Sequence, residues 1–449
     1  MPPIRLLFAL LIMAVSVLNG TRSVRQSLTI DEAMTFLSFS SKPLGEMFVY
    51  YDANNHVLFT LLSRGSYLAL GDAEWAIRLP AVLGGVAFLV LLAGVLVRLL
   101  GESGTAVAAW VAVVSNPLLL DHLVAGRGYG LGLALWLGAL WVLLDGGEAG
   151  GWRRWAGAGV LLGLALAANL NLLFVGVATG LTYALLQGRR GGKAALVMAG
   201  ATLLTAAPIL YPALRHATRD NFYYGAERWA QTLDLFVWQT LMPVHGKWDL
   251  GAMLAWQNRL APGVVGAVAL GVGLLWRRRP ALLVALPLVL ALGLMEAAHR
   301  WGGVRYPLGR TTLPLFVATL LAAAAVATVP RVRLGVVALF VWLTGSHLAA
   351  SRWSYFGEWP MDGESRVLAR QAAAQEGPMC ATWTLMPALE YYRLRYRLPA
   401  PEMVRNERGP GCVWFFAAPD DRQWPVENGF VEVAAGAQSK VTVYWNPAR

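Results

Sequence analysis

Charge is scarce in this sequence. Asp, Glu, Lys and Arg make up 14% of the 449 residues, against 57% hydrophobic residues and a mean hydropathy of +0.51. A soluble domain carries roughly a quarter charged residues, so this supply excludes an ordinary soluble enzyme. Acid is scarcer than base: 26 Asp and Glu stand against 37 Lys and Arg, a formal net charge of +11. Cysteine is scarcer still, with Cys380 and Cys412 alone in the chain. Two cysteines exclude a disulfide-built scaffold and a cysteine zinc site, and their spacing makes no CxxC redox centre.

What is present is long apolar runs. Blocks of roughly 17–25 residues, parted by short charged or Gly/Pro-rich joints, are the mark of membrane-spanning helices. Eleven spans are expected, at about 4–20, 75–98, 105–120, 129–144, 155–168, 172–187, 194–212, 259–276, 281–296, 311–329 and 334–350. With a cytoplasmic N-terminus, the inner joints hold Arg5, Arg98, Arg153, Arg154, Arg189, Arg190, Lys193, Arg277, Arg278, Arg279, Arg331 and Arg333. Cations then occupy about one inner residue in three but about one outer residue in nine, which sets the orientation. The basic balance therefore reflects topology, and no nucleic-acid partner is expected. The first run lacks a small-x-small cleavage pattern and reads as a span rather than a signal peptide. Gly and Ala inside the spans suit close helix packing.

Residues 56–70, "HVLFTLLSRGSYLAL", are apolar but short and contain Arg64. Reading them as a span would place the arginines at 277–279 outside, so a helix along the outer surface is expected instead. The first outer loop then runs over 21–74, far longer than an ordinary helix connection. The membrane domain covers 1–350. Residues 351–449 balance acids and bases and contain no spanning run. "GPMCATW", "GCVWFFAAP" and "VTVYWNP" read as strands and "LMPALEYYRLRYRL" as a helix, giving a small extracytoplasmic α/β domain. Cys380 and Cys412 fall in two of those strands, as a disulfide or as two buried thiols.

Inside the outer loop stands "LTIDEAMTF" (28–36), with Asp31 and Glu32 adjacent. Thr29-x-x-Glu32 fits a capping box, which satisfies free N–H groups at a helix start. That motif uses Glu32 and leaves Asp31 unexplained. A carboxylate at the edge of a dehydrated pocket is where a general base can have its pKa adjusted.

"IDEAMTF", "EWAIRLPAVLGG" (74–85) and "SNPLLLDHLVAGRGYGLGL" together resemble the N-terminal half of the polytopic GT-C glycosyltransferases. That superfamily includes the protein O-mannosyltransferases and the lipid A aminoarabinose transferases. The similarity is clear over 28–145 and otherwise one of topology, with "RYPLGRTTLPLF" (305–316) resembling a segment before a late span. The resemblance implies an all-α, GT-C type membrane fold and an inverting glycosyltransferase in a bacterial inner membrane. It also implies a polyprenyl-phosphate sugar donor and a lipid, polysaccharide or protein acceptor outside the cytoplasm. It marks the Asp31–Glu32 pair as catalytic, with Asp31 as base. Arg127 in "GRGYGL", then Arg305 and Arg310, are the implied phosphate donors, since a leaving lipid phosphate develops charge that arginine stabilises.

The sequence departs from the pattern at Asn54-Asn55-His56-Val57, where many relatives have His-Pro-Pro, and at Val124-Ala125, where many have Arg-Glu. Asp121, His122, His56 and Tyr129 are candidates for a second acid or a substrate contact. Asp31, His56, Asp121 and His122 are ligand types for a divalent metal, but no ligand spacing supports one and none is required. Arg78, at the outer end of the second span, is expected to snorkel. Tyr223, Tyr224 and Trp229, in the aromatic loop 213–258, read either as sugar-stacking faces or as an interfacial belt. The alternative class is a lipid-linked sugar flippase or transporter; such proteins place ionisable residues at mid-bilayer, and the predicted spans carry no Asp, Glu, Lys or Arg in their middles.

Overall fold

The computed structural model describes residues 3–145, 151–222, 224–241, 266, 270–373, 377, 379–397 and 412–448. The chain forms two compact units. One comprises Met1–Asn19, Val49–Phe59 and Pro80–Ser351; the other comprises Gly20–Phe48, Thr60–Leu79 and Arg352–Arg449. Residues 20–48 and 60–79 therefore fold with the C-terminal segment, an arrangement that the linear pattern of spans does not display.

The first unit is helical. Helix α1 (Pro3–Arg25) begins it, and the other long apolar helices are Glu74–Leu100, Gly191–Leu214, Arg279–Gly302, Leu313–Val326 and Pro330–Ala350. Six helical segments among the described residues are long and apolar enough to cross a membrane, and shorter apolar helices accompany them. The chain is a multi-pass membrane protein. Helices begin and end where the sequence requires: Pro280 starts Arg279–Gly302, and Gly303 closes it in the left-handed region at φ 67°. The expected 105–120 span is divided into Gly104–Val114 and Pro117–His122, because Asn116 caps a new helix that begins on Pro117. The expected 259–276 span lies largely outside the described residues.

Small residues set the packing. Gly159 and Gly163 of the Gly151–Ala168 helix face the Gly191–Leu214 helix so closely that a Cβ would lie 2.5 Å from the Met198 carbonyl oxygen or 2.7 Å from that of Thr202. Thr202 Oγ1 donates to the Gly159 carbonyl across this seam. Close helix approach through small residues is the usual device inside a bilayer, where water exclusion drives nothing.

The second unit joins three pieces of chain. Helix α2 (Ile30–Thr35) follows the Leu28 turn, helix α3 (Val57–Leu70) enters it, and helix α4 (Glu74–Leu100) contributes its first turn. The 56–70 stretch is thus helical, as read. The C-terminal segment adds β1 (Met379–Ala381), the Met386–Arg395 helix, β2 (Trp414–Ala417), β3 (Val431–Ala435) and β4 (Thr442–Trp445). The sheet order is β1-β2-β4-β3, with β1 and β2 parallel and the other pairs antiparallel. The parallel pair needs a crossover, and the Met386–Arg395 helix lies in it. Strand β3, a largely exposed edge strand of the sequence VEVAA, was not expected from the sequence. Cys380 and Cys412 are joined as a disulfide, Cα to Cα 5.8 Å. Leu28, Ala33, Phe36 and Ile77 pack into one apolar core with Leu389, Tyr391, Phe416 and Val443.

Candidate active site

In the second unit, α2 begins with the capping box that Thr29 and Glu32 predict. Thr29 Oγ1 accepts the Glu32 N–H at 3.3 Å, and Glu32 Oε2 accepts the Thr29 N–H at 2.9 Å. Glu32 is not left with that role alone. Arg78 Nε donates to its Oε1 at 2.6 Å and Nη2 to its Oε2 at 2.7 Å, with both side chains fully buried. The remaining guanidinium hydrogens reach the carbonyls of Ser23, Gln26 and Ser27. Arg78 therefore does not snorkel. A guanidinium offers five donors in a planar fork, and here they gather one carboxylate and three carbonyls that the loop would otherwise bury unsatisfied. Asp31, the acid outside this cap and ion pair, is buried on the same short helix at 7% exposure.

A second carboxylate organises the surroundings. Glu74, in the first turn of α4, takes Arg366 at 2.6 Å, and it pairs closely with Arg395. Tyr392 Oη donates to Glu74 Oε1 at 3.2 Å while accepting the Leu28 N–H at 2.8 Å. Burial, then the Glu74 charge, raise the Tyr392 phenol far above its usual value, so it stays a donor. Glu74 and Arg78 sit four apart on α4, the spacing of a local helix pair, yet each takes a carboxylate or guanidinium from elsewhere in the chain. This sequence spacing was the available signal for Arg78. Arg366, Arg395 and Asp362 gave none, since a charged residue in a balanced segment reads as surface.

The first unit collects the other candidates. His56 Nδ1 lies 3.2 Å from the Ala168 carbonyl, so that nitrogen carries the proton. Burial, then Arg127 and Arg310, hold the imidazole well below its ordinary pKa, and His56 is neutral. Its Nε2 is buried and has no hydrogen-bond partner among the described residues. Tyr129 stands between the two histidines, with ring centroids 5.2 Å from His56 and 4.7 Å from His122. Arg127 is buried, with Nη2 donating to Asn54 Oδ1 at 2.9 Å. Gly128 makes this arrangement fit, because a Cβ there would meet the Ala168 carbonyl oxygen at 1.8 Å. Asp121 is buried one residue before His122, at the end of the Pro117–His122 helix. Arg310 lies over the Tyr224 ring, 5.8 Å from its centroid.

The sequence candidates are thus sorted. His56, His122, Arg127, Tyr129 and Arg310 form one cluster in the first unit. Arg305 is different: it is exposed and faces Glu227 at 3.7 Å and the Gly225 carbonyl. Trp229 packs against Tyr306 at 4.6 Å between centroids, while Tyr223 lies outside the described residues. No group of three or more His, Cys, Asp or Glu side chains suited to a metal ion occurs among the described residues.

A bundle of apolar helices accompanied by a small sheet-bearing unit is the architecture of the GT-C membrane glycosyltransferases. The chain has that fold. Residues 56–216 match the family model described as dolichyl-phosphate-mannose-protein mannosyltransferase. Among solved structures, ArnT from Cupriavidus metallidurans bound to undecaprenyl phosphate is similar at 15% identity and a TM-score of 0.56, covering 98% of both chains. The apo state of that protein is similar at a TM-score of 0.54. The Archaeoglobus fulgidus oligosaccharyltransferase in complex with Zn and sulfate is similar at 12% identity and a TM-score of 0.50, over 99% of this chain and 73% of that one. None of the curated proteins matches the sequence significantly. The family match contains His56, Asp121, His122, Arg127 and Tyr129; Asp31 and Glu32 precede it, and Arg305 and Arg310 follow it.

Proposed function

We propose that the chain is an inverting glycosyltransferase that moves a sugar from a polyprenyl-phosphate donor to an acceptor outside the cytoplasm. Asp31 takes the acceptor's proton as its oxygen attacks the anomeric carbon. The bond from that carbon to the phosphate oxygen breaks, and the polyprenyl phosphate leaves with the electron pair. Arg127 and Arg310 receive the phosphate charge, and Asp121, His122, His56 and Tyr129 are assigned as further donor contacts. The cluster suits an anion better than a metal: two guanidiniums flank its imidazoles, and a cation would meet their repulsion. The undecaprenyl phosphate bound by ArnT supports a lipid phosphate as the donor's carrier. The proposed setting is a bacterial inner membrane, with the C-terminal segment outside; a disulfide between Cys380 and Cys412 suits an oxidising compartment.

The observation that carries this reading is the division of labour in the acidic pair. Glu32 is committed to Thr29 and Arg78, so the bland role of the motif is already filled by one acid. The adjacent Asp31 is buried on the same short helix and lies outside that cap, and a carboxylate withdrawn from bulk water is where a general base has its proton affinity tuned. Lipid analysis of a strain lacking the protein tests the reading. An accumulated sugar-phosphate lipid, cleared by the wild-type chain but not by an Asp31→Asn variant inserted at equal level, is the expected result. Clearance by Asp31→Asn removes Asp31 as base. Lipid found on the wrong leaflet with no glycan defect points to a flippase.

A further inference from the structure

The N-terminal end of α2 is satisfied from outside the loop. In a capped helix Thr29 Oγ1 serves the third helical N–H, and the N–H of the first residue, Ile30, needs another acceptor. That acceptor is Asp362, whose Oδ2 takes the Ile30 N–H at 2.7 Å. Asp362 comes from the short Pro360–Glu364 turn of the C-terminal segment, 332 residues away in sequence, and is 1% exposed. Ser27 Oγ donates to the Gly363 carbonyl, which fastens the same turn to the same loop.

We propose that Asp362 is a positioning residue for Asp31: the C-terminal segment delivers it to the helix start, where its hydrogen bond to Ile30 holds the Asp31 helix in place. This rests on the reading of Asp31 as the base. Several features keep Asp362 neutral. Its Oδ1 is buried without a hydrogen-bond partner among the described residues. Arg78, which reaches the cap through Glu32, is engaged by that carboxylate and three carbonyls, and Arg366 by Glu74. Glu364, on the same turn, accepts from Ser439 and Gln438. Burial pushes the Asp362 carboxyl well above the usual carboxylate range; the Ile30 N–H pulls the other way, and Asp31 and Glu32 add to the rise. A neutral partner matters to the chemistry. A second negative charge beside Asp31 would draw a proton onto one of the pair, and a protonated Asp31 accepts nothing from an acceptor hydroxyl.

The test uses the full chain in lipid nanodiscs and in the deletion strain. In nanodiscs at neutral pH, the infrared band of a protonated buried carboxyl is expected in the wild type and absent in Asp362→Asn. Asparagine keeps a carbonyl for Ile30, so Asp362→Asn should clear the accumulated lipid as the wild type does. Asp362→Ala should leave it accumulated at equal membrane level, with amide exchange over residues 28–36 about fivefold faster, the effect of one lost cap. Full clearance and unchanged exchange in Asp362→Ala overturn the proposal, as does failure of Asp362→Asn to clear or the absence of the carboxyl band. Clearance by Asp31→Asn strikes instead at the base assignment, and the exchange and infrared measurements then still judge Asp362.

Discussion

Arg78 shows how much one side chain can hold. It lies fully buried against Glu32, and its hydrogens also satisfy three backbone carbonyls of the segment before α2. A buried ion pair adds little against an apolar pair of the same shape, yet removing one partner strands the other charge. Arg78→Ala should therefore destabilise the second unit by about 3–5 kcal/mol, read as lowered thermal stability and easy proteolysis within residues 20–48. Arg127 stands in a different balance. Its buried guanidinium donates to the amide oxygen of Asn54, and the proposed mechanism gives it the donor phosphate as a contact. Loss of one charge-assisted contact should weaken undecaprenyl phosphate binding about tenfold or more in Arg127→Ala, measured by titrating that lipid into the protein in nanodiscs. Unchanged affinity would make Arg127 a packing residue.

At the scale of elements, glycine marks where two backbones meet. The Gly151–Ala168 and Gly191–Leu214 helices approach through Gly159 and Gly163, and a methyl group at 159 would have to push the Met198 carbonyl aside. Backbone on a neighbouring helix cannot rotate away as a side-chain tip can. Gly159→Ala should cost about 1–3 kcal/mol and lower the detergent melting temperature, whereas Gly157→Ala, with open space at its Cβ, should change neither. Helix α2 makes the same point about ends. Its start was readable because the capping box is local, four residues long, and written in residue types. The acceptor of the Ile30 N–H was not, because it arrives from another part of the chain.

At the scale of the molecule, the C-terminal segment is one partner in a unit whose other pieces are Gly20–Phe48 and Thr60–Leu79. The disulfide spans a sequence separation of 32, from Cys380 in β1 to Cys412, two residues before β2. Chain-entropy arguments give such a cross-link about 2–4 kcal/mol, so reduction, or a paired Cys380→Ser and Cys412→Ser replacement, should lower the unfolding temperature of this unit. Unreacted thiols in the protein isolated from membranes would instead argue for a reducing compartment and against the proposed orientation.

Hydropathy and local motifs were enough to read the multi-pass character, the α2 cap, the candidate strands β1, β2 and β4, and the place of Asp31 beside a capping Glu32. Each is written within a few neighbouring residues, through hydropathy, period or a cap motif. The tertiary structure alone decided that Glu32 is neutralised by Arg78, that Glu74 gathers Arg366 and Arg395, and that Asp362 meets Ile30. It also decided that Arg305 is exposed and faces Glu227. A charge chooses its partner by distance in space, and over separations of tens to hundreds of residues the order of the chain carries no record of that distance.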